Sequence, residues 1–137
     1  MNIAIIYISN DKLLNSARKI FAKDLYGKGN IIKEINGILE NTRLTGFQYI
    51  VFFIESGFFI GKNRLKELDA FLKNIETMPS KFVSVYTNKK FLSNKNLLKY
   101  MSRLESEGCI IHSSDIIVDE KHSENISRNL HPVKFGS

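Results

Sequence analysis

The apolar residues fall into short dense runs separated by stretches with helical spacing. Residues 3–8 are apolar at nearly every position, as in a strand covered on both faces. Ser9, Asn10 and Asp11 follow and are good helix caps. Leu13, Leu14, Ala17, Ile20, Phe21 and Leu25 then mark one face of a helix, with Lys12, Arg18, Lys19 and Lys23 left to solvent. Gly27 and Gly29 stop it. Residues 30–35 make a second, weaker strand without clean alternation, expected at a sheet edge. Residues 36–44 are expected to form a short helix closed by Gly46. Tyr49–Ile54 is six aromatic or β-branched residues in a row, a third strand. After a loop over 55–63, Leu65, Leu68, Leu72 and Ile75 mark a helix, and Phe71 lies beside them. Residues 82–86 form the fourth strand. The loop 87–94 leads to a helix carrying Leu97, Leu98, Met101 and Leu104, with Gly108 at its end. A fifth strand is expected in two pieces, 109–111 and 116–118, broken by the polar His112, Ser113, Ser114 and Asp115. Residues 119–137 are polar. Ile126 and Leu130 are one helical turn apart there, so a short helix and a frayed tail both remain open.

This alternation predicts a three-layer, doubly wound α/β domain with a five-stranded parallel sheet over residues 1–137. Such sheets bind ligands in a crevice at the carboxyl ends of strands one and three. Any ligand should therefore touch residues 9–14, 55–61 and 87–91.

The length of 137 residues suits one domain. No apolar stretch approaches the roughly 18–20 residues a membrane span needs. The run at residues 3–8 has no basic segment before it, unlike a signal peptide. One cysteine, Cys109, excludes an internal disulfide and fits a reducing compartment, so the expected location is the cytoplasm. A formal charge of +6 can attract nucleic acid, anionic lipid or acidic partners. The basic residues are scattered, with no run beyond Lys89-Lys90, which argues against nucleic acid. His112, His122 and His131 lack metal-ligand spacing, and no P-loop or nucleophile elbow occurs. His112 followed by Ser113, Ser114 and Asp115 is not by itself triad geometry.

The segment YIVFFIESGFFIGKNRLKELDAFL, residues 49–72, resembles the flavodoxin-like superfamily: an apolar strand, a small-polar-aromatic-glycine loop, then a helix. The opening NIAIIYISN is similar to a flavodoxin first strand with its hydroxyl residue, here Ser9. The resemblance spans roughly residues 2–118 and implies strand order 2-1-3-4-5. It also implies FMN as cofactor and electron transfer as activity. On it, Ser9, Asn10, Asp11, Lys12, Leu13 and Leu14 would hold the phosphate. Ser56, Gly57, Phe58 and Phe59, with Thr87, Asn88, Lys89 and Phe91, would hold the ring. The family's loop reads Ser/Thr-x-Thr-Gly-x-Thr. Here only Ser9 matches, and Asp11 places a carboxylate where the phosphate would sit. Many electron-transfer flavodoxins are acidic, whereas this chain is basic, so its redox or regulatory partner should be acidic.

The same wound sheet carries phosphoacceptor receiver domains. Asp11, Glu55 and Thr87 stand at plausible places for one, but a second acid and the lysine are missing. Two functions are therefore expected in competition. One is an FMN-binding electron carrier with an atypical phosphate loop. The other is a cofactor-free binding or regulatory module, a silent receiver included, whose rim of Lys12, Lys62, Lys89 and Lys90 engages an acidic partner or anion. The helices flanking the sheet and the phenylalanine loop leave a homodimer open.

Overall fold

The computed structural model describes residues 1–40, 42–75 and 78–134. Five parallel strands form one sheet in the order β2-β1-β3-β4-β5. They are β1 (Asn2–Ile8), β2 (Ile31–Asn36), β3 (Tyr49–Ile54), β4 (Phe82–Asn88) and β5 (Ile110–Ile117). The helices are α1 (Lys12–Gly27), α2 (Ile60–Lys73), α3 (Ser93–Ser106) and α4 (Glu120–Asn129). The expected fold class and strand order are both observed. The period-2 alternation of each strand sorts its side chains between two cores. Ile3, Ile5, Val51 and Phe53 meet Leu14, Phe21 and Leu25 of α1. Ala4, Ile6, Phe52 and Val85 meet Leu68 and Phe71 of α2 and Tyr100 of α3. No helix among the described residues is long and apolar enough to cross a membrane.

Strands β1 and β3 lie side by side, Ile8 paired with Ile54. Glu55 N–H extends the ladder by donating to the Ile8 carbonyl at 3.1 Å. The turns leaving these strands therefore share one edge of the sheet, where the crevice was expected.

Three local expectations need correction. The helix expected over residues 36–44 is absent among the described residues; Asn41 lies outside them. Asn36 ends β2 and turns the chain: its Oδ1 accepts from Ile38 N–H at 3.0 Å, and its carbonyl accepts from Glu40 N–H at 2.9 Å. An Asn side chain bonded to the backbone two residues on competes with helix formation. Ile38 and Leu39 consequently stay exposed, and Leu44 alone returns to the core. β2 also runs one residue later than expected, as Ile31–Asn36.

The fifth strand is continuous rather than split. A register shift opposite Val83 and Ser84 absorbs His112. Its ring packs edge-on against Tyr49, and Tyr49 Oη and His112 Nδ1 lie 2.7 Å apart. Beyond it the polar residues continue the ladder, since one face of an edge strand can remain wet.

The segment after Asp119 forms α4. The Asp119 side chain accepts from His122 N–H at 2.7 Å, an N-cap. α4 docks on α1 through Lys28 Nζ, which donates to the carbonyls of Ser127 and Leu130 at 2.8 and 3.0 Å.

Candidate functional site

The β1–α1 turn was expected to cradle a phosphate. Its extended backbone puts Asp11 at the N-cap of α1, where its carboxylate accepts from Leu14 N–H at 3.0 Å. Asp11 N–H donates to Ser9 Oγ at 2.9 Å, and Asn10 N–H donates to Glu55 Oε1 at 3.0 Å. Three of the N–H groups that a phosphate would need are thus spent on the protein's own acceptors, two of them carboxylates.

Glu55 is fixed from its other side. Its Oε1 also accepts from Arg64 Nε at 3.1 Å and Nη2 at 2.9 Å, while Arg64 Nη1 donates to Glu67 at 2.8 Å. Arg64 is almost wholly buried. Burial works against its charge, but the bonds to Glu55 and Glu67 outweigh it and hold the guanidinium pKa above its ordinary value. A buried cation of this kind requires its anions, so Glu55 is held in place against the β1–α1 turn.

The β3–α2 loop is pinned from below. Ser56 N–H donates to Asn88 Oδ1 at 2.7 Å, and the Ser56 and Thr87 hydroxyls are bonded to each other. Asn96 Nδ2 donates to the Gly57 carbonyl at 3.1 Å, and Tyr100 Oη donates to the Glu55 carbonyl at 2.6 Å. Burial pushes the Tyr100 phenol far above its usual pKa, which keeps it a donor. Ser56, Thr87 and Asn88, expected to face a ligand, are buried braces instead. Asn88 Nδ2 is left without a partner among the described residues.

On top of this platform stand Phe58, Phe59 and Phe91, 60%, 79% and 71% exposed. Phe58 touches Phe59 edge-on at 4.7 Å between centroids and lies 6.0 Å from Phe91 at a 32° tilt. Rings at such separations are in direct contact, so no third ring fits between Phe58 and Phe91. Lys12, Lys62, Lys89 and Lys90 are exposed on the same edge of the sheet. None of the four makes an ion pair among the described residues.

A cavity of about 250 Å³ lies beside the β1–α1 turn, lined by Tyr7, Ser9, Asn10, Lys12, Arg18 and Asn36. It is smaller than the roughly 300–1,000 Å³ usual for a cofactor pocket. The Arg18 guanidinium stacks 4.0 Å over the Tyr7 ring and pairs with Glu34 at 2.6 Å. The Leu13 side chain is half-buried and that of Leu14 fully buried in the α1 core.

Of the receiver-like set, Glu55 is neutralised by Arg64 and Thr87 is buried against Ser56. His112 sits in the amino-terminal half of β5, away from the crevice. Among the described residues no group of His, Cys, Asp and Glu could hold a metal. Arg64, Glu67, Asn96 and Tyr100 were not foreseen. The spacing of Arg64 and Glu67 at i and i+3 on a helix was the available signal for one pair. Asn96 and Tyr100 come from α3, and nothing local announces their contact with the loop.

Together the parallel order, the crevice and the loops define a flavodoxin-like α/β fold. Solved structures agree. A flavodoxin from the domain Archaea superposes with a TM-score of 0.70 at 8% identity, covering 94% of this chain and 95% of that one. Flavodoxin 1 of Bacillus cereus gives 0.68 at 11% identity, covering 93% and 95%. Two-electron reduced Megasphaera elsdenii flavodoxin gives 0.65 at 11%, covering 92% and 98%. At such identities the likeness establishes the fold. No family model matches the sequence, and no curated protein does.

The residues present do not fit FMN as they stand. Three of the phosphate donors are taken, two carboxylates stand at the turn, and the aromatic pair is closed.

Proposed function

We propose that this chain is a flavodoxin-fold binding module that operates without a flavin phosphate. The observation that carries this reading is the bond from Asn10 N–H to Glu55, itself locked by buried Arg64. An acceptor-only carboxylate there fills an anion site from inside the protein. The loops that would otherwise grip a cofactor brace one another, and the exposed phenylalanines and lysines above them are left for a macromolecular partner.

A second reading, an FMN-binding electron carrier, draws support from the likeness to flavodoxins along nearly the whole chain. It is also supported by the unpartnered amide of buried Asn88 beneath the aromatic residues, a donor awaiting an acceptor. On that reading Phe58 and Phe91 would have to part and Glu55 would have to leave Asn10. Bound FMN would supply one- and two-electron chemistry of its own.

The visible spectrum of the purified protein and a fluorescence titration with FMN separate the two. The binding-module reading expects colourless protein and no quenching at micromolar FMN. A yellow preparation or tight quenching reverses the order.

A further inference from the structure

We propose that Phe58, Phe59 and Phe91, flanked by Lys62, Lys89 and Lys90, form a preorganised docking patch for an acidic segment of a partner protein that carries aliphatic or aromatic side chains. This deepens the binding-module reading and rests on it, because the patch covers the crevice a cofactor would otherwise enter.

Three observations converge. The phenylalanines are exposed yet in mutual contact, a contiguous apolar surface rather than scattered rings. The backbone beneath them is tied down by hydrogen bonds. In the first loop Ser56 N–H donates to Asn88 Oδ1, and Asn96 and Tyr100 donate to the Gly57 and Glu55 carbonyls. In the second, Leu92 adopts a left-handed conformation, φ 65°, directly after Phe91. That conformation costs a leucine energy and is tolerated where surroundings impose it. A surface held rigid before contact loses little entropy on binding. The third observation is charge: three exposed lysines accompany the rings along the chain, and Glu55 at the start of the loop is already bonded to Arg64.

An apolar centre with a charged rim is the usual composition of a protein-binding surface, and an unopposed positive rim steers a negative partner. Single-stranded nucleic acid fits less well. Its bases need separate stacking faces along a basic track, whereas here Phe58 spends its contacts on Phe59 and Phe91.

The test uses the full chain, ¹⁵N-labelled, and three probes. One is a twelve-residue peptide alternating Glu with Leu and Phe. Another is the same peptide with Gln for Glu. The third is an oligothymidine of similar length. The expected result is that the acidic peptide shifts the amide signals of residues 57–62 and 88–92, with affinity falling as salt rises. The Gln peptide should bind about tenfold more weakly or worse, and Phe59→Ala should weaken the acidic peptide by about tenfold. Lys89→Gln with Lys90→Gln should reduce the salt dependence, leaving the part that Lys62 supplies. These side chains are exposed, so unchanged thermal melting confirms that the variants fold.

Absence of shifts at millimolar acidic peptide, shifts confined to another surface, or tighter binding of the oligothymidine at these residues overturns the proposal. FMN added to the same sample tests the underlying reading apart from this one. FMN binding with shifts in the crevice removes both, whereas indifference to FMN and to peptide alike removes the docking patch alone.

Discussion

Gly61 and Asn96 touch so closely that a side chain on Gly61 would collide with the Asn96 amide. The glycine is there for space. It lets the first turn of α2 rest against α3 while Asn96 reaches the Gly57 carbonyl. Gly61→Ala is expected to displace the Asn96 amide and cost about 1 kcal/mol for its lost bond, less what alanine gains over glycine within a helix. Asn96→Ala alone should cost about 1 kcal/mol through the lost bond. In the double variant the alanine should cost little beyond the Asn96 change. Urea denaturation of the four proteins in the cycle measures this, and additive costs would show that the close approach is not what the glycine serves.

The β1–α1 turn makes a grafting prediction. Asp11→Thr with Lys12→Gly restores family-like residues, yet Glu55 still occupies Asn10 N–H. That double variant should gain little affinity for FMN or inorganic phosphate. Adding Glu55→Ser frees the Asn10 donor and leaves buried Arg64 with Glu67 as its remaining anion, a loss of stability that bound phosphate would offset. This triple variant is expected to bind phosphate at least tenfold more tightly than the double, about 1.4 kcal/mol. Equal affinity of the two by calorimetry would mean that Glu55 is not the obstacle.

Acid stability should report the α1–α4 junction. Burial pushes the Asp24 carboxyl upward in pKa, but hydrogen bonds with Lys28 and Ser127 outweigh it and leave the pKa below its ordinary value of 3.8. A pKa lower in the folded than in the unfolded chain stabilises the fold at pH above the unfolded value, and the contribution disappears as pH falls through the folded one. Asp69 behaves alike, lowered chiefly by its bond with Arg103 and then by Lys73. Stability should therefore decline as pH drops below about 4. Asp24→Asn should flatten that decline in part, since Asp69 remains. Denaturant midpoints from pH 6 to pH 2 measure both slopes, and unchanged steepness in the variant would count against the junction.

Cys109 offers a probe of opening. Burial pushes its thiol up to about 12, and Sγ lies 3.7 Å from the Met78 carbonyl. The thiolate is the reactive form, so iodoacetamide at pH 8 should modify the native protein only as fast as the region opens. Leu68→Ala, expected to cost about 2–5 kcal/mol in the core, should accelerate modification markedly. Mass spectrometry over time gives the rates; rapid labelling of the unmodified protein would contradict the burial.

Legibility followed how local each interaction is. Strand β3 was readable to the residue, because six apolar residues in succession admit little else. The helix expected after β2 was not. Ile35, Ile38 and Leu39 imitate helical spacing, but Asn36 captures the backbone, and Gly37 sits so near β1 that a Cβ would lie 2.8 Å from Ile8 Cγ1. The carboxylate at residue 11 was visible as an obstacle to phosphate. Its use as a helix cap was visible only as a tendency. The decisive partner of Glu55, Arg64, is separated from it by a loop and a turn of helix. Phe58, Phe59 and Phe91 were identifiable as a group from topology, but their closure on one another depends on side-chain directions that spacing does not encode.

The β2–β3 crossover has no helix among its described residues, so the first edge of the sheet is lightly roofed there. β2 pairs with β1 alone and carries Lys33 and Glu34 outward, charges that discourage strand-to-strand sticking between molecules. Ile35 nonetheless seats this strand in the core, and Arg18 of α1 pairs with Glu34 at 2.6 Å. That edge is thus tied to α1 by a charge pair and to the core by one isoleucine, and its loss would uncover the outer ladder of β1.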